Sequence, residues 1–442
     1  MKFYNRESEL AELLRIQNLS FTEHSRLTVI TGRRRIGKTS LVMKAVEEST
    51  YPTIYLFVGR KDEAALCQEF VQIIATQLDT FVPPEFRSFT TLFRFMMVLA
   101  QHQPFNLVID EFQEFYNINE SVYSDMQNVW DRYRKKTKMN LIVSGSIYSL
   151  MQKNFQNAKE PLFGRADNII KLSAFNIRTL KEIMSDYHPS YKNDDLLALY
   201  TFTGGVPKYV ELLCDGQALT VEKMIEFMAR ENSSFIDEGK HLLIEEFGKN
   251  YGTYFSILGA ISGGLTSQQQ IASVLDNKSI SGQLKRLIED YDVLVRMRPI
   301  MSKENSHDVR FSIKDNFIRF WFNYFERFRS MIEIKNFPGL QRIIKEDYNK
   351  FSGVALERYF RQQLAETFEY SDIGSWWEPK GEQYEIDIVA LKLEKKQAVA
   401  IEVKRNRQKY SPELMALKVA QLKRKILNNY EIEIGCLSLD DM

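Results

Sequence analysis

The chain has 442 residues, enough for about three domains. Hydrophobic residues make up 44% and charged residues 26%, a balance typical of globular proteins rather than disordered chains. The 59 Lys and Arg residues nearly cancel the 58 Asp and Glu residues. This balance excludes a partner recognised through overall charge and leaves local basic patches open.

The cysteines and the N-terminus indicate the compartment. The three cysteines lie far apart and form neither a disulfide framework nor a CxxC metal motif, which is typical of a reducing environment. The first residues lack the apolar region of a signal peptide, and no apolar run approaches the ~18 residues of a membrane helix. We therefore expect a cytoplasmic protein without a membrane partner.

The first part of the chain alternates short apolar runs with helical patterns. The apolar runs fall at 27–31, 54–58, 107–109 and 141–143. Residues 38–48 and 63–78 have apolar residues at the three-to-four spacing of helices. Strands that are apolar on both faces and alternate with helices indicate a parallel sheet covered on both sides. We predict an α/β domain over residues 1–170.

The rest of the chain divides into three further predicted segments. Residues 171–240 predict a helical lid interrupted by Gly-Gly-Val-Pro at 204–207. Residues 241–335 follow the order helix, turn, helix, helix, hairpin, which is typical of a winged helix, and end in an aromatic-rich linker helix. Residues 336–442 predict a small α/β domain with a basic C-terminal helix.

A phosphate-binding motif follows the first predicted strand. Residues 32–39 read GRRRIGKT and match G-x-x-x-x-G-K-[ST] without a mismatch, and a predicted helix follows. Glycines let backbone N–H groups surround phosphate oxygens, Lys38 would reach the β- and γ-phosphates, and the Thr39 hydroxyl would bind Mg²⁺. The predicted ATP-binding residues are Gly32, Arg33, Arg34, Arg35, Ile36, Gly37, Lys38, Thr39 and Ser40.

Polar residues end the later strands of the same domain. Asp110 and Glu111 follow an apolar strand, so Asp110 suits Mg²⁺ and Glu111 is placed to polarise the attacking water. Ser144 ends the next strand, where it would sense the γ-phosphate or only cap the strand. Arg165 would stabilise the γ-phosphate in cis or in trans, or form a structural salt bridge.

Six segments of the chain occur in a recognisable order. They are FYNRESEL at 3–10, GRRRIGKTSL, LVIDE, IVSGS, PLFGR and TGGVP at 203–207. This set resembles the archaeal-type ATPases of the AAA+/STAND branch of P-loop proteins, over roughly residues 1–330. The resemblance implies that Arg6 and Glu7 lie near the adenine and that Pro207 lies in the lid beside the nucleotide.

Acidic residues and a lysine mark the C-terminal segment. Glu357 lies on a predicted helix, Asp387 near the start of a strand, and Glu402 and Lys404 on one face of the next strand. Asp387 and Glu402 would converge on one divalent cation, and Lys404 would orient water or stabilise a phosphate. This order resembles the PD-(D/E)XK nuclease core over residues 345–440. Solvated strand ends and a degenerate, non-cleaving nuclease fold remain alternatives.

The segment 404–425 contains eight basic residues and one acid, a local excess of +7. We interpret it as a candidate surface for the DNA backbone, against the alternative of a solvated helix face. The sequence as a whole predicts an Mg²⁺-dependent ATPase coupled to a nuclease-like domain that binds double-stranded DNA. The alternative is a nucleotide-gated signalling switch whose C-terminal domain only binds a partner. The pathway and the oligomeric state stay open.

Overall fold

The computed structural model describes residues 1–248, 251–276, 279–303, 306, 308–378, 384–393 and 396–442. The chain divides into two compact units. The first comprises residues 2–173, and the second comprises residues 174–442 together with Met1. In the described residues, no helix combines the length and apolar character needed to cross a membrane.

The first unit is a parallel sheet with helices. Its elements are α1 Glu7–Thr22, β1 Arg26–Thr31, α2 Lys38–Glu47, β2 Thr53–Phe57, α3 Glu63–Leu78, α4 Phe89–Leu99, β3 Phe105–Asp110, α5 Phe115–Ile118, α6 Ser121–Tyr133, β4 Met139–Gly145, α7 Tyr148–Gln156 and β5 Asn168–Lys171. The strand order is β2-β3-β4-β1-β5, and every neighbouring pair is parallel. The predicted α/β fold is therefore confirmed for this unit.

Burial explains why the strands were visible in the sequence. Every residue of β3 and β4 is buried, so both faces carry apolar side chains. Because all five strands are parallel, their carboxyl ends meet at one edge of the sheet. The register places Thr31 beside Gly145 and Phe57 beside Asp110. The loops at this edge therefore bring together the polar residues that follow β1, β3 and β4.

The second unit begins with helices α8 Ile177–Tyr187, α9 Asn193–Thr203, α10 Pro207–Asp215, α11 Val221–Met228 and α12 Phe235–Phe247. The predicted break is present. Helix α9 ends at Gly204, which has a left-handed φ of 60°, and Pro207 opens α10, where its fixed φ suits a first helical turn.

Three helices and a hairpin come next. They are α13 Tyr251–Ser262, α14 Gln268–Ser273, α15 Ser281–Glu289, β6 Leu294–Met297 and β7 Arg310–Ile313, the last two paired antiparallel. This is the element order from which a winged helix was predicted. Then follow α16 Asn316–Phe320, a π-helical stretch at Trp321–Glu326, α17 Arg329–Glu333 and the long α18 Phe337–Ala365.

The chain ends in a separate, mostly-strand region. Its elements after α18 are β8 Tyr370–Trp377, β9 Glu385–Lys392, β10 Gln397–Lys404, α19 Pro412–Lys425 and β11 Glu431–Ser438. The sheet order is β11-β10-β9-β8, with β8, β9 and β10 antiparallel and β11 parallel to β10. The inner face of α19 packs on this sheet through Met415, Val419 and Leu422.

Candidate functional site

The phosphate-binding motif forms a tight loop between β1 and α2. Gly32 has φ 149°, and a Cβ there would lie 2.9 Å from the carbonyl oxygen of Leu172, so only glycine fits. Gly37 has φ 88° and precedes α2. Lys38 is buried, and its Nζ donates to the carbonyl oxygens of Gly32 at 2.8 Å and Arg33 at 3.1 Å. The backbone of the loop thus holds the Lys38 ammonium in place.

The Asp110 carboxylate accepts several hydrogen bonds at the edge of the sheet where the parallel strands end. Its Oδ2 accepts hydrogen bonds from Thr39 Oγ1 at 3.2 Å and Tyr55 OH at 2.5 Å. Its Oδ1 accepts from Ser144 Oγ at 2.5 Å and from the backbone N–H of Glu111 at 3.0 Å. Asp110 is 5% exposed. Four donors therefore fix both carboxylate oxygens beside the first residues of α2.

Glu111 leaves the strand with a strained backbone. Its φ is 54°, a left-handed value that is uncommon for a residue with a side chain. Its Oε2 accepts from Gln113 Nε2 at 2.5 Å and from Ser146 Oγ at 2.7 Å. The turn therefore brings this carboxylate to Ser146, which follows β4.

The remaining predicted residues of this unit have other partners. Arg6 is buried, and its Nη2 donates to the carbonyl oxygens of Ser173 at 2.7 Å and Ile36 at 3.3 Å. Burial lowers the pKa of Arg6, and Glu9 opposes that shift. Arg165 donates to Asp131 at 3.1 Å, which is the salt-bridge alternative stated for it. The structure thus brings Arg6 into contact with Ile36 of the phosphate-binding loop.

Sequence reasoning did not identify Tyr55, Gln113 and Ser146. Tyr55 lies in the middle of β2 and reaches Asp110 only because β2 neighbours β3 in the sheet. The pairing of β2 with β3 depends on the order of strands in the sheet, which no local sequence pattern indicates. Ser146 follows Ser144 by two residues in a visible polar cluster, and this cluster was the available signal.

The second unit brings the predicted acids and lysine of the C-terminal region together. Asp387 lies on β9, and Glu402 and Lys404 on the adjacent β10, whose register pairs Ile401 with Ile388. Asp387 Oδ2 accepts from the backbone N–H of Val403 at 2.7 Å. Lys404 Nζ donates to Glu402 Oε1 at 2.7 Å. These residues therefore share one end of the sheet.

The three carboxyl groups of this cluster differ in the direction in which their pKa values are shifted. Desolvation, followed by the charge of Asp387, raises the pKa of Glu357 to about 8. Desolvation also raises the pKa of Asp387, although the Val403 N–H opposes it. Burial opposes the charge of Glu402, but hydrogen bonds from Lys404 and Lys418 outweigh it and lower the Glu402 pKa. Glu402 is therefore the carboxylate held ionised, while Glu357 favours its protonated form.

The basic segment 404–425 is largely neutralised within the chain. At least five of its eight basic residues form ion pairs, namely Lys404, Arg405, Arg407, Lys418 and Lys425. The exposed residues Lys409, Lys423 and Arg424 remain as candidates for phosphate contacts. The local excess of +7 thus overstates the charge that this segment presents to a partner.

The grouping of acidic, histidine and cysteine side chains in the described ranges bears on metal binding. No cluster of three or more His, Cys, Asp or Glu residues there is arranged to hold a metal ion. Thr39 and Asp110 supply a hydroxyl and a carboxylate oxygen, and Asp387 and Glu402 supply carboxylates, which are the oxygen ligands that Mg²⁺ prefers. The donor types therefore suit Mg²⁺ at both places.

Comparison with known families gives two matches. A model described as an ATPase domain predominantly from Archaea matches residues 3–213. A model described as archaeal and bacterial proteins of unknown function matches residues 321–415. An uncharacterized protein of Methanocaldococcus jannaschii, MJECL04, is 31% identical over 414 residues, covering 91% of this chain and 87% of that protein.

A solved structure with a similar fold is a Walker-type ATPase. The Walker-type ATPase PABY2304 of Pyrococcus abyssi aligns with a TM-score of 0.53 at 17% identity, over 72% of this chain and 96% of that one. The ORC2 protein of Aeropyrum pernix, solved as ADPNP–ADP complexes, gives 0.48 at 13% identity, over 76% and 95%. At 17% identity, the likeness to the Pyrococcus abyssi protein concerns the fold alone.

Proposed function

Because the chain belongs to one family with the Methanocaldococcus jannaschii protein MJECL04 and its residues 3–213 match an ATPase domain found predominantly in Archaea, we propose that its first unit hydrolyses ATP by attack of water on the γ-phosphate. The match to the ATPase domain supports nucleotide binding by this unit. The reaction consumes one water and releases ADP and inorganic phosphate. The observation that carries the proposal is the convergence of Lys38, Thr39, Asp110 and Glu111 at one edge of the parallel sheet.

Each residue at that edge has a proposed role. Lys38 binds the β- and γ-phosphates, and Thr39 with Asp110 would hold Mg²⁺, which neutralises phosphate charge when bound. Glu111 polarises the attacking water, which fits a carboxylate accepting hydrogen bonds from Gln113 and Ser146. The other proposed nucleotide-binding residues are Gly32, Arg33, Arg34, Arg35, Ile36, Gly37, Ser40, Arg6 and Pro207, with Ser144 as γ-phosphate sensor and Arg165 as a charge stabiliser.

Two matched substitutions test this proposal. Lys38→Ala should abolish ATP binding without unfolding the chain, whereas Lys44→Ala, on an exposed position of the same helix, should not. Glu111→Gln should retain ATP and lose hydrolysis. ATP binding is measured by calorimetry and turnover by phosphate release. Normal turnover by folded Lys38→Ala would refute the site, and loss of Mg²⁺-dependent affinity in Glu111→Gln would refute the water-polarising role.

For the rest of the chain we propose the division drawn from the sequence. Residues 1–170 form the ATPase core of the AAA+/STAND type, 171–240 the lid, 241–335 a winged helix with its linker, and 336–442 a PD-(D/E)XK nuclease-like domain. The arrangement of Glu357, Asp387, Glu402 and Lys404 supports a nuclease-like site that binds double-stranded DNA and cleaves it with a divalent cation held by Asp387 and Glu402.

A second candidate function has its own supporting observation. Two lysines occupy the oxygens of Glu402, and most of the 404–425 basic residues are paired internally. Both features favour a nucleotide-gated switch whose C-terminal domain only binds a partner. Plasmid nicking with Mg²⁺ or Mn²⁺, compared between the parent and Asp387→Asn, separates the two functions. Nicking lost in the variant supports a nuclease, and absence of both nicking and DNA binding supports the switch.

A further inference from the structure

Lys418 occupies an unexpected place in the C-terminal domain. It belongs to the basic segment, yet it is only 8% exposed and faces the sheet from α19. Its Nζ donates to Glu402 Oε2 at 2.8 Å and to Oε1 at 3.0 Å. A buried ammonium is costly unless it is paired, so this bidentate contact with Glu402 accounts for its position.

The two lysines that contact Glu402 differ in how far their side chains are exposed to solvent. The Lys404 side chain is 34% exposed, whereas the Lys418 side chain is 10% exposed. Lys404 can leave Glu402 and turn toward a ligand while its ammonium stays in contact with water. Lys418 has no such route, because leaving Glu402 would strand its charge among apolar neighbours such as Met415 and Leu422. Lys418 is therefore the fixed partner of Glu402.

The charge balance of the site follows from these contacts. The ammonium groups of Lys404 and Lys418 offset the carboxylates of Asp387 and Glu402, and the Arg361 guanidinium donates to the Asp387 carbonyl oxygen. A divalent cation would therefore not enter an anionic site. An ionised carboxylate offers about four lone-pair positions. The lysines already use three on Glu402. A cation that bound both oxygens of Glu402 would therefore have to displace an ammonium group.

We propose that Lys418 is a charge-balancing residue of the C-terminal site, which competes with a divalent cation for Glu402 and thereby lowers the affinity of the site for that cation. This rests on the proposed function, in which Asp387 and Glu402 hold the cation. The carboxylates have the oxygen chemistry that Mg²⁺ and Mn²⁺ require. Lys418 sets how readily the site binds one.

The test measures Mn²⁺ binding by the full chain without nucleotide, using electron paramagnetic resonance of free Mn²⁺. The relevant sites are those lost in Glu402→Gln, which separates them from Mn²⁺ bound elsewhere. Removing a unit charge within a few ångströms of a divalent cation should tighten Mn²⁺ binding about tenfold in Lys418→Met. Lys418→Arg keeps the charge and should behave as the parent. Lys423→Met, at an exposed position of α19, is the matched control.

The outcomes separate the inference from the proposed function. Unchanged or weaker Mn²⁺ binding by folded Lys418→Met would overturn the inference, because a purely structural lysine would give that result. In that case the Glu402-dependent Mn²⁺ sites of the parent would still support the proposed cation site. Absence of Glu402-dependent sites in both parent and variant would overturn the cation site itself. If Lys418→Met does not fold, Lys418→Gln makes the same test, since it retains a donor for Glu402 without the charge.

Discussion

Tyr55→Phe removes one hydrogen bond from the Asp110 carboxylate and leaves the ring in place. The phenol of Tyr55 donates to Asp110 Oδ2 at 2.5 Å. Desolvation, then the hydrogen bond to Asp110, raises the pKa of Tyr55, so the phenol stays protonated as a donor. Asp110 would keep its bonds from Ser144, Thr39 and the Glu111 N–H. The substitution therefore isolates a single charge-assisted contact.

The expected cost follows from the charge of the acceptor. Hydrogen bonds to ionised groups contribute about 1.5–3 kcal/mol, and Tyr55 is only half-buried, so we expect a loss of about 2 kcal/mol. For a unit the size of residues 2–173, this corresponds to a Tm lower by about 4–8 °C. The assay is thermal unfolding, following the transition that MgATP shifts upward, together with steady-state phosphate release.

Tyr116→Phe is the matched control, because Tyr116 is 39% exposed and the substitution keeps its ring beside Lys153. It should leave both Tm and turnover unchanged. A Tm for Tyr55→Phe within 1 °C of this control would refute the claim that the Tyr55 phenol holds Asp110, since a bond to a buried carboxylate cannot be lost at that small a cost, about 0.5 kcal/mol or less.

Three further predictions follow from the described contacts. Gly32→Ala should abolish ATP binding, measured by calorimetry, because its Cβ would meet the Leu172 carbonyl oxygen at 2.9 Å. Arg358→Met should lower stability in urea unfolding by about 2–3 kcal/mol, because Asn316, Ser312 and the carbonyl oxygen of Ile313 lose a charged donor. Arg342→Met, at an exposed position of the same helix, should not. Folding raises the pKa of Glu357 from 4.5 to about 8, so between these pH values the folded chain holds a proton that the unfolded chain releases. The free energy of unfolding should therefore fall as the pH rises from 4.5 to about 8. Glu357→Gln should flatten this fall, measured as Tm against pH in EDTA.

The sequence was sufficient to predict the fold of the first unit, because the patterns that indicate its strands and its phosphate-binding loop are local in the chain. The phosphate-binding loop is continuous in the chain, and buried parallel strands are apolar on both faces. Strand order is not local, and the Tyr55 contact with Asp110 depends on it. Helices α4 and α6 were not predicted, although both pack in the same core through residues such as Phe93 and Trp130.

The C-terminal site shows a different limit. The acids were identified because alternation along β10 places Glu402 and Lys404 on one face. Strands β8 and β11 were missed: much of β8 is exposed, and it carries Ser, Asp and Gly residues that weaken the strand pattern. Strand β11 is buried only at its last residue, so neither β8 nor β11 shows the apolar run from which β9 and β10 were predicted.

Lys418 shows how a buried, paired lysine can be predicted from the sequence. It follows Met415 by three residues and precedes Leu422 by four, so it lies on the apolar stripe of α19. Counting charge along the segment treated it as equivalent to Lys423, which the helical phase places on the solvent side. A lysine within an apolar stripe requires a buried counter-charge, and the nearest acid on the facing strand is Glu402. Helical phase, rather than net charge, therefore separates the lysines that surround the candidate site from those that face a partner.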